Sequence, residues 1–395
     1  MPGAPVRVIG TLGTTQTLAW ASSYYLPAML ADPMARDLGV SAPTVYAAFS
    51  VAMVASALAG PWAGQAIDRH GGRIVLVGTS LLFALGLGML GTAQGLWTML
   101  GAWIVIGIAM GAGLYEAAFS SLVRLYGHQA RGAITGITLI AGFASTVGWP
   151  LSAWMETQFG WRGACLGWAA LHLLVGLPLN AWLPRASTPS KAASLDAMAA
   201  APADASPAPE PRRQGYATAL LAFVFAATWF ISTAIATHLP RMLEATGATL
   251  TAAVAVGALI GPAQVAGRLL EFGFLRQVHP LLSARLAALA HPVGVAVLLT
   301  GGAAMAPAFA ILHGAGNGIL TIAKGSLPLA LFGPQGYGAR QGWLMMPARG
   351  AQALASFLFG LALDAWGARA LWLSGGIGLA AFGALLALRA RPAAA

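Results

Sequence analysis

The sequence predicts an all-α membrane protein whose 12 transmembrane helices form two six-helix pseudo-repeats. Of the 395 residues, 58% are hydrophobic and 8% carry a fixed charge, whereas soluble domains average about 25% charged residues. Apolar stretches also recur at the length of about 20 residues that a membrane-spanning helix needs. This composition excludes a soluble globular protein and a wholly disordered chain.

Twelve stretches are long and apolar enough to span a membrane, and we number them helices 1 to 12. They are predicted at residues 8–30, 43–66, 74–93, 97–123, 132–155, 162–183, 216–238, 250–271, 281–301, 304–324, 341–363 and 369–389. The first is interpreted as a retained helix, because its apolar run is too long for a signal peptide and shows no clear small-residue cleavage site.

Residues 184–215, between helices 6 and 7, are rich in Ala, Pro and Ser and cannot bury an apolar core. We therefore predict an N-terminal six-helix bundle at 1–183, a flexible cytoplasmic linker at 184–215 and a C-terminal six-helix bundle at 216–395.

Basic residues are concentrated on one side of this topology. The linker, the termini and the loops from even to odd helices hold Arg7, Arg69, Arg73, Arg124, Arg131, Arg185, Lys191, Arg212, Arg213, Arg276, Arg285, Arg340, Arg389 and Arg391, while the other side holds Arg36, Arg162, Arg241 and Arg369. Positive charge marks the cytoplasmic side, so both termini are predicted to be cytoplasmic, in a cell membrane of the bacterial inner-membrane type. The net charge of +10 is thus an orientation signal and does not indicate a nucleic-acid partner.

Short motifs recur between the two halves. Ala63-Gly64-x-x-x-Asp68 matches Ala266-Gly267-x-x-x-Glu271, and Gly111–Gly113 matches Gly314–Gly316, both at an offset of 203 residues. Parallel six-helix repeats are typical of secondary transporters that hold their substrate near the membrane midplane. The glycine-rich stretches Gly111–Gly113 and Gly314–Gly318 are candidate hinges.

The loop after helix 2 reads Gly64-Gln65-Ala66-Ile67-Asp68-Arg69-His70-Gly71-Gly72-Arg73. This decapeptide resembles the loop 2–3 signature of the major facilitator superfamily. The resemblance implies a cytoplasmic gating latch made by Gly64, Asp68, Arg69 and Arg73, with Glu271 as the equivalent acid in the second half.

Helices 4 and 5 carry a finer resemblance, to the monocarboxylate porter and oxalate/formate antiporter branch. It is found in Gly113-Leu114-Tyr115, Arg131-Gly132-Ala133-Ile134-Thr135-Gly136-Ile137, Pro150-Leu151 and Gly160-Trp161-Arg162.

Two charged residues are predicted to lie deep in the membrane. Glu116 stands eight residues before Arg124 and Arg349 nine residues after Arg340, so they lie roughly 12 and 13 Å deep at 1.5 Å per residue. Facing lipid would cost either charge about 2.5–3.5 kcal/mol or more. We interpret Arg349 as the ligand of an anionic substrate and Glu116 as the proton-coupling carboxylate. A fixed ion pair that gates the cavity is the alternative.

Arg268 and His313 keep two interpretations each. The resemblance to oxalate/formate antiporters, which clamp a small anion with basic residues on helices 8 and 11, implies that Arg268 joins Arg349 as a substrate ligand. A structural i,i+3 pair with Glu271 is the alternative. Gln264 stands four residues before Arg268, where monocarboxylate porters carry an acid. His313 is either a proton relay or an interhelical hydrogen-bonding residue.

The predicted pocket also includes Trp20, Tyr24, Tyr115, Trp229 and Asn317, because helices 1, 4, 7 and 10 line the cavity in this superfamily. Helix packing is the alternative for each of these side chains. Lys324, at the predicted end of helix 10, is interpreted as reaching the cytoplasmic surface along its aliphatic stem. His172 and His291 are interpreted as packing residues.

These observations predict a secondary active transporter of small organic anions, monocarboxylate- or dicarboxylate-like, that is proton-coupled or exchanging and works by alternating access. The alternatives are a proton-driven exporter of amphipathic drugs or metabolites and a non-transporting receptor. Motifs of ATP hydrolysis, zinc proteases and serine hydrolases are missing from the sequence, so we expect no enzymatic activity, cofactor or metal. The expected partners are a carboxylate substrate, protons and the lipid bilayer, with the chain acting as a monomer.

Overall fold

The computed structural model describes residues 6–185 and 211–389, with the backbone alone at 211–213, 250, 254 and 276. These residues are helical almost throughout, and no strand occurs among them, so the predicted all-α membrane fold is confirmed. Lys191, Arg391 and most of the predicted linker lie outside the described residues. The side chains of Arg212, Arg213 and Arg276 do so as well.

Helices 1 to 6 make up the N-terminal half, and several of them are interrupted. Their segments are Val6–Ala21 and Pro27–Leu38 (helix 1), Ala42–His70 (helix 2), Gly72–Gly91 (helix 3), Leu96–Gly113 and Tyr115–Tyr126 (helix 4), Ala130–Ala141 with the first part of Ala144–Leu171 (helix 5), and the rest of that stretch with His172–Gly176 and Leu177–Ala181 (helix 6). Gly160, at φ 69° and ψ 172°, breaks Ala144–Leu171 and separates helix 5 from helix 6. His172–Gly176 is a π-helical turn.

Helices 7 to 12 make up the C-terminal half, and each is a single helix. They are Pro211–Ala245, Leu250–Gly273, Pro280–Gly301, Ala306–Phe332, Tyr337–Trp366 and Ala370–Ala387. Seven helical stretches of the described residues, some of which merge several helices, are long and apolar enough to cross a membrane. The chain is therefore a multi-pass membrane protein.

Apolar side chains are distributed both inside and outside the bundle. The largest buried cluster includes Trp103 and Trp168 and lies mainly among helices 1 to 6, while two smaller clusters lie among helices 7 to 12. Large apolar side chains such as Leu58 and Phe357 are more than half exposed, as expected where helices face lipid. The domain boundaries at 183 and 216 stay a prediction.

The two halves meet most closely at the latch end, which is the end of the molecule where helix 2 finishes and helix 11 begins. A Cβ atom on Gly64 would lie 1.9 Å from the carbonyl oxygen of Gly338, so this approach of helix 2 to helix 11 requires a glycine. The Asp68 carboxylate accepts the backbone N–H groups of Gly338 and Ala339 at 2.9 and 2.8 Å. An acceptor at a helix N-terminus is favourable because it satisfies unpaired N–H donors and the helix dipole.

Candidate functional site

Glu116 and Arg349 meet in the middle of the bundle. Glu116 is in the first turn of the segment Tyr115–Tyr126, directly after the break in helix 4, and Arg349 is in the middle of helix 11. The Nη2 atom of Arg349 donates to the two carboxylate oxygens of Glu116 at 3.1 and 3.3 Å. The exposed fractions of the side chains are 3% for Arg349 and 14% for Glu116. The structure thus brings together the two deep charges that the sequence singled out.

Gln352, one turn after Arg349, extends this contact to helix 1. Arg349 Nη1 donates to Gln352 Oε1 at 3.1 Å, and Gln352 Nε2 donates to the Tyr24 hydroxyl at 3.0 Å. Gln352 was not among the predicted site residues, although its i,i+3 spacing from Arg349 places both on one helix face. Arg349 is therefore held from both halves.

Aromatic rings form one wall of the site. The rings of Trp20 and Trp229, one from each half, are stacked at 6.2 Å with an interplanar angle of 11°. Tyr115 and Tyr24 pack on Trp20 at 5.1 and 5.3 Å. The guanidinium carbon of Arg349 lies 5.4 Å from the Trp229 ring and 5.8 Å from the Trp20 ring, within the range of cation–π attraction. Four of the predicted pocket residues are therefore neighbours around Arg349.

Lys324 also belongs to this wall, so the interpretation that it reaches the surface is wrong. Helix 10 continues to Phe332, and the Lys324 side chain is 5% exposed. Its ammonium lies 4.0 Å above the Trp229 ring and interacts electrostatically with Glu116, Arg349 and Arg268. The predicted end of helix 10 was too early because a charge lowers the hydropathy of any window that contains it.

Arg268 is buried within helix 8 and lacks a carboxylate partner among the described residues. Its side chain is 5% exposed, and its Nη2 atom approaches Gln264 Oε1 at 3.5 Å while Nε and Nη1 have no hydrogen-bond partner. The guanidinium occupies the space beside Gly142 of helix 5, where a Cβ atom would lie 2.0 Å from Nη1. Tyr115 lies within electrostatic range of Arg268, which links this guanidinium to the aromatic wall.

Glu271 pairs with Arg131 of helix 5 and not with Arg268. The Glu271 Oε1 atom lies 2.7 Å from Arg131 Nη2, and Arg131 also donates to the backbone carbonyls of Val278 and Leu275. This contact joins the two halves at the latch end, as Asp68 does on the opposite side of the bundle. Of the other predicted latch residues, Arg69 is exposed and Arg73 donates to the Leu183 carbonyl at 3.4 Å.

At the end opposite the latch, the ion pairs lie within each half. Arg162 pairs with Asp37 at 2.8 Å in the N-terminal half, and Arg241 pairs with Asp364 at 2.6 Å in the C-terminal half. The cross-half ion pairs and capping contacts of the described residues are found at the latch end and at the Glu116–Arg349 level. The bundle is therefore tied together at one end and at its centre.

His313 and Asn317 have partners on different helices. His313 shares a 3.0 Å Nδ1–Nδ1 hydrogen bond with His291 of helix 9 and stacks on Phe309, while Asn317 Nδ2 donates to the Ser232 hydroxyl of helix 7 at 3.0 Å. His291 is thus hydrogen-bonded to a second histidine. The proposed proton relay at His313 stays a prediction.

A small cavity opens beside the ion pair, between helices 2, 4 and 11. Its lining includes Ser56, Gly111, Glu116, Met345 and Arg349. Among the described residues, no group of three or more His, Cys, Asp or Glu side chains is placed to hold a metal ion. The chemistry available at the centre is therefore that of buried cations, one carboxylate and aromatic faces.

The chain is similar to transporters throughout its length. The sequence profile of the Major Facilitator Superfamily matches residues 12–346. The structure resembles the human organic anion transporter MFSD10 (TETRAN), with a TM-score of 0.70 and 17% identity over 97% of this chain and 100% of that one. It also resembles the transporter FucP in the outward conformation, with a TM-score of 0.71 and 16% identity over 96% and 97% of the two chains. For the proton:xylose symporter XylE bound to 6-bromo-6-deoxy-D-glucose, the TM-score is 0.74 and the identity 12%, over 95% and 94%.

Proposed function

The chain belongs to the Major Facilitator Superfamily, and from this membership we propose that it is a secondary transporter of small carboxylates that works by alternating access. The charge balance at the centre is the observation that carries this proposal. Arg268, Lys324 and Arg349 are each at most 5% exposed, and among the described residues the carboxylate that pairs with Arg349 and interacts with Lys324 is Glu116.

A surplus of buried positive charge is unfavourable in the absence of a ligand. Unpaired buried ions cost several kcal/mol each, and the Arg268 guanidinium has two nitrogen atoms without hydrogen-bond partners. An anion supplies the missing acceptors and charge. Arginine forks favour a carboxylate as this anion, because they bind its two oxygens through paired hydrogen bonds.

The state of the two ends supports an outward-facing arrangement. The latch end carries most of the basic loops, which marks it as the cytoplasmic side. It is closed by the Asp68 and Arg131 contacts, whereas the ion pairs of the opposite end lie within each half. Alternating access then requires these latch contacts to break as the halves rock around the central site.

Glu116 gives the proposed carrier a means of proton coupling. It accepts two hydrogen bonds from Arg349. A substrate carboxylate that takes over the Arg349 contact would leave Glu116 unpaired in a low-dielectric site, where protonation is favoured. The similar structures include an organic anion transporter and a proton:xylose symporter. Organic anion transport and proton coupling are the two properties that enter the proposal here. The exporter of amphipathic drugs has less support, because Glu116 is already paired to a cation.

The carboxylate proposal is tested by ligand-induced thermal stabilisation of the purified protein. We expect oxalate, malonate and succinate to raise the unfolding temperature in a saturable way. Arg268→Met should weaken the apparent affinity about 10- to 100-fold, because a hydrogen bond to a charged group contributes about 1.5–3 kcal/mol. Among the described residues Arg268 pairs with no carboxylate, so this variant does not leave the partner of an ion pair behind. Arg369→Met, at an exposed position, is the matched control. Equal affinities in Arg268→Met and Arg369→Met would refute the binding role.

The coupling proposal is tested separately with Glu116→Gln. We expect this variant to keep substrate exchange across proteoliposomes, since exchange needs no net proton movement, and to lose the stimulation of uptake by a pH gradient. Gradient-stimulated uptake in Glu116→Gln would show that another group carries the proton.

A further inference from the structure

A second polar cavity lies inside the N-terminal half, between helices 1, 3, 4 and 6 and apart from the ion pair. It measures about 10 Å³, which is room for one water-sized species. Its polar lining consists of Thr15, Gln16, Thr79, Ser80, His172 and Asn180, together with the backbone of Gly113 and Gly176.

Two amide oxygens of this cavity lack hydrogen-bond partners among the described residues. Gln16 Nε2 donates to the Gly113 carbonyl at 2.7 Å, and Asn180 Nδ2 donates to the Leu76 carbonyl at 3.2 Å. Because backbone carbonyls only accept, these bonds fix which end of each amide is nitrogen. Gln16 Oε1 and Asn180 Oδ1 are left unpartnered, and the two side chains are 1% and 5% exposed. A buried acceptor without a partner costs about 1–3 kcal/mol, so a bound species that interacts with both oxygens would stabilise the protein.

The hydroxyl groups of the cavity have already used their protons. Thr15 Oγ1 donates to the Leu12 carbonyl at 3.2 Å, and Thr79 Oγ1 donates to the Leu76 carbonyl at 2.8 Å. Ser80 Oγ likewise donates to the Leu76 carbonyl at 3.2 Å, and it accepts a hydrogen bond from Asn180 Nδ2 at 3.0 Å. What Thr15 and Thr79 still offer is their oxygen lone pairs. The cavity therefore presents several oxygen acceptors and no free hydroxyl donor from its threonines and serine.

The backbone around the cavity is irregular at two points. Helix 4 is interrupted at Leu114, so the segment Leu96–Gly113 directs its carboxyl-terminal end, the negative end of its dipole, toward the cavity. Helix 6 passes the cavity through the π-helical turn His172–Gly176, a distortion frequent at functional sites. In membrane transporters, the carboxyl ends of broken helices commonly coordinate a cation.

We propose that this cavity binds a sodium ion. A water molecule has two protons and could satisfy two acceptors, such as the two amide oxygens. Its own lone pairs would then face the remaining oxygen atoms of the cavity, which is a repulsive arrangement. A small hard cation instead accepts electron density from every oxygen around it. The ligand set comprises Gln16 Oε1, Asn180 Oδ1 and the hydroxyl oxygens of Thr15 and Thr79.

The bound ion would stabilise the break in helix 4. Gln16 links helix 1 to Gly113, the last residue before the break. Tyr115 and Glu116 of the central site follow directly after the break at Leu114. Sodium in the cavity would therefore hold the Tyr115–Glu116 segment in place. The inference goes beyond the carboxylate proposal and can fail while that proposal stands.

Direct binding of ²²Na⁺ to the purified full-length protein, measured in choline chloride by scintillation proximity, tests the inference. We expect saturable binding that unlabelled Na⁺ displaces and that K⁺ displaces at least about tenfold less well. Sodium should also raise the unfolding temperature over the same concentration range. Binding that is absent, or equal for Na⁺ and K⁺, would overturn the sodium site and leave a water molecule as the occupant.

Threonine-to-valine variants locate the site without a large change in shape. Thr79→Val removes one proposed ligand, and Thr15→Val removes another. Thr228→Val is the matched control, since Thr228 is buried, donates to its own helix at Phe225 and lies in helix 7 away from the cavity. We expect the half-saturating Na⁺ concentration to rise about tenfold in each cavity variant and to change less than about twofold in Thr228→Val. A similar response in all three variants would contradict the assignment.

Discussion

Replacing Lys324 by methionine is expected to stabilise the ligand-free protein and to reduce carboxylate transport at least about tenfold. Lys324 is 5% exposed, and its ammonium contacts the Trp229 ring at 4.0 Å. Methionine has a similar length and fills the same space without a charge. Stability rises while transport falls because the buried charge of Lys324 is unfavourable for folding and is needed to bind the substrate.

The magnitude follows from three opposing contributions. Desolvation of a buried ammonium costs several kcal/mol, and the desolvated cation–π contact returns about 2 kcal/mol. Attraction to Glu116 is offset by repulsion from Arg268 and Arg349. We therefore expect Lys324→Met to gain about 1–3 kcal/mol in the absence of ligand. In a chain of this length each kcal/mol shifts the unfolding temperature by roughly 1 °C.

The assay combines thermal unfolding of the purified protein with uptake of labelled oxalate into proteoliposomes. We expect the unfolding temperature of Lys324→Met to rise by about 1–3 °C and its uptake to fall at least about tenfold, the loss of one charged hydrogen bond. Leu320→Met, one turn earlier on helix 10 and also buried, controls for the insertion of methionine. A lower unfolding temperature together with unchanged uptake would refute the reasoning, since Lys324 would then be a structural residue.

Three further predictions concern helix packing and pH. Gly142→Ala should displace the guanidinium of Arg268, because the new Cβ would lie 2.0 Å from its Nη1 atom, and should weaken carboxylate binding about tenfold. Gly132→Ala, which adds a Cβ in open space on helix 5, should leave the carboxylate affinity unchanged. Equal carboxylate affinities in the two variants would refute this prediction. Gly64→Ala should separate helix 2 from helix 11 at the latch end and make a cysteine introduced at Ala339 accessible to thiol reagents, whereas Gly60→Ala, whose Cβ would meet only ordinary contacts, should leave that cysteine protected. The native cysteine, Cys165, is buried. Protection in both variants would contradict the packing argument. Burial and two nearby arginines lower the pKa of His279, which caps helix 9, below its usual 6.5. The folded state then binds fewer protons than the unfolded state, so the free energy of unfolding should fall as the pH drops below about 6.5. Unfolding measured at a series of pH values should show a smaller dependence on pH in His279→Asn than in the wild type. An unchanged dependence would exclude His279 as its source.

Composition and hydropathy were sufficient to predict the fold, because the membrane leaves few ways to satisfy backbone polar groups. The depth of Glu116 and Arg349 followed from counting residues along regular helices. Their pairing is consistent with that depth, since each has to find a partner away from lipid.

Other parts of the site depend on helix boundaries and side-chain direction, which the sequence does not show. The predicted helix 10 ended at Lys324, whereas the helix in the structure continues for eight more residues, to Phe332. Arg268 stands near the end of helix 8, yet its guanidinium is buried because the missing side chain of Gly142 leaves space for it. The role of Gln352 depends on its hydrogen bond to Tyr24 of the other half, a contact that the sequence does not show.

The candidate hinges show the same contrast. Helix 4 does break after Gly113, at Leu114, while helix 10 is continuous across Gly314–Gly318. Glycine-rich sequence alone cannot distinguish the two cases, because in helix 10 the glycines permit close packing: a Cβ on Gly318 would lie 2.2 Å from the Gln264 carbonyl oxygen. The same composition therefore serves a break in one half and a tight helix contact in the other.

Counterflow of labelled oxalate into proteoliposomes tests the central claim, that buried cations at the middle of the bundle carry a small carboxylate. Vesicles preloaded with unlabelled oxalate should accumulate the label transiently with the wild-type protein and at least about tenfold less with Arg268→Met. Accumulation no greater than in protein-free vesicles for oxalate, succinate and lactate alike, or equal accumulation in Arg268→Met and wild type, would contradict the account.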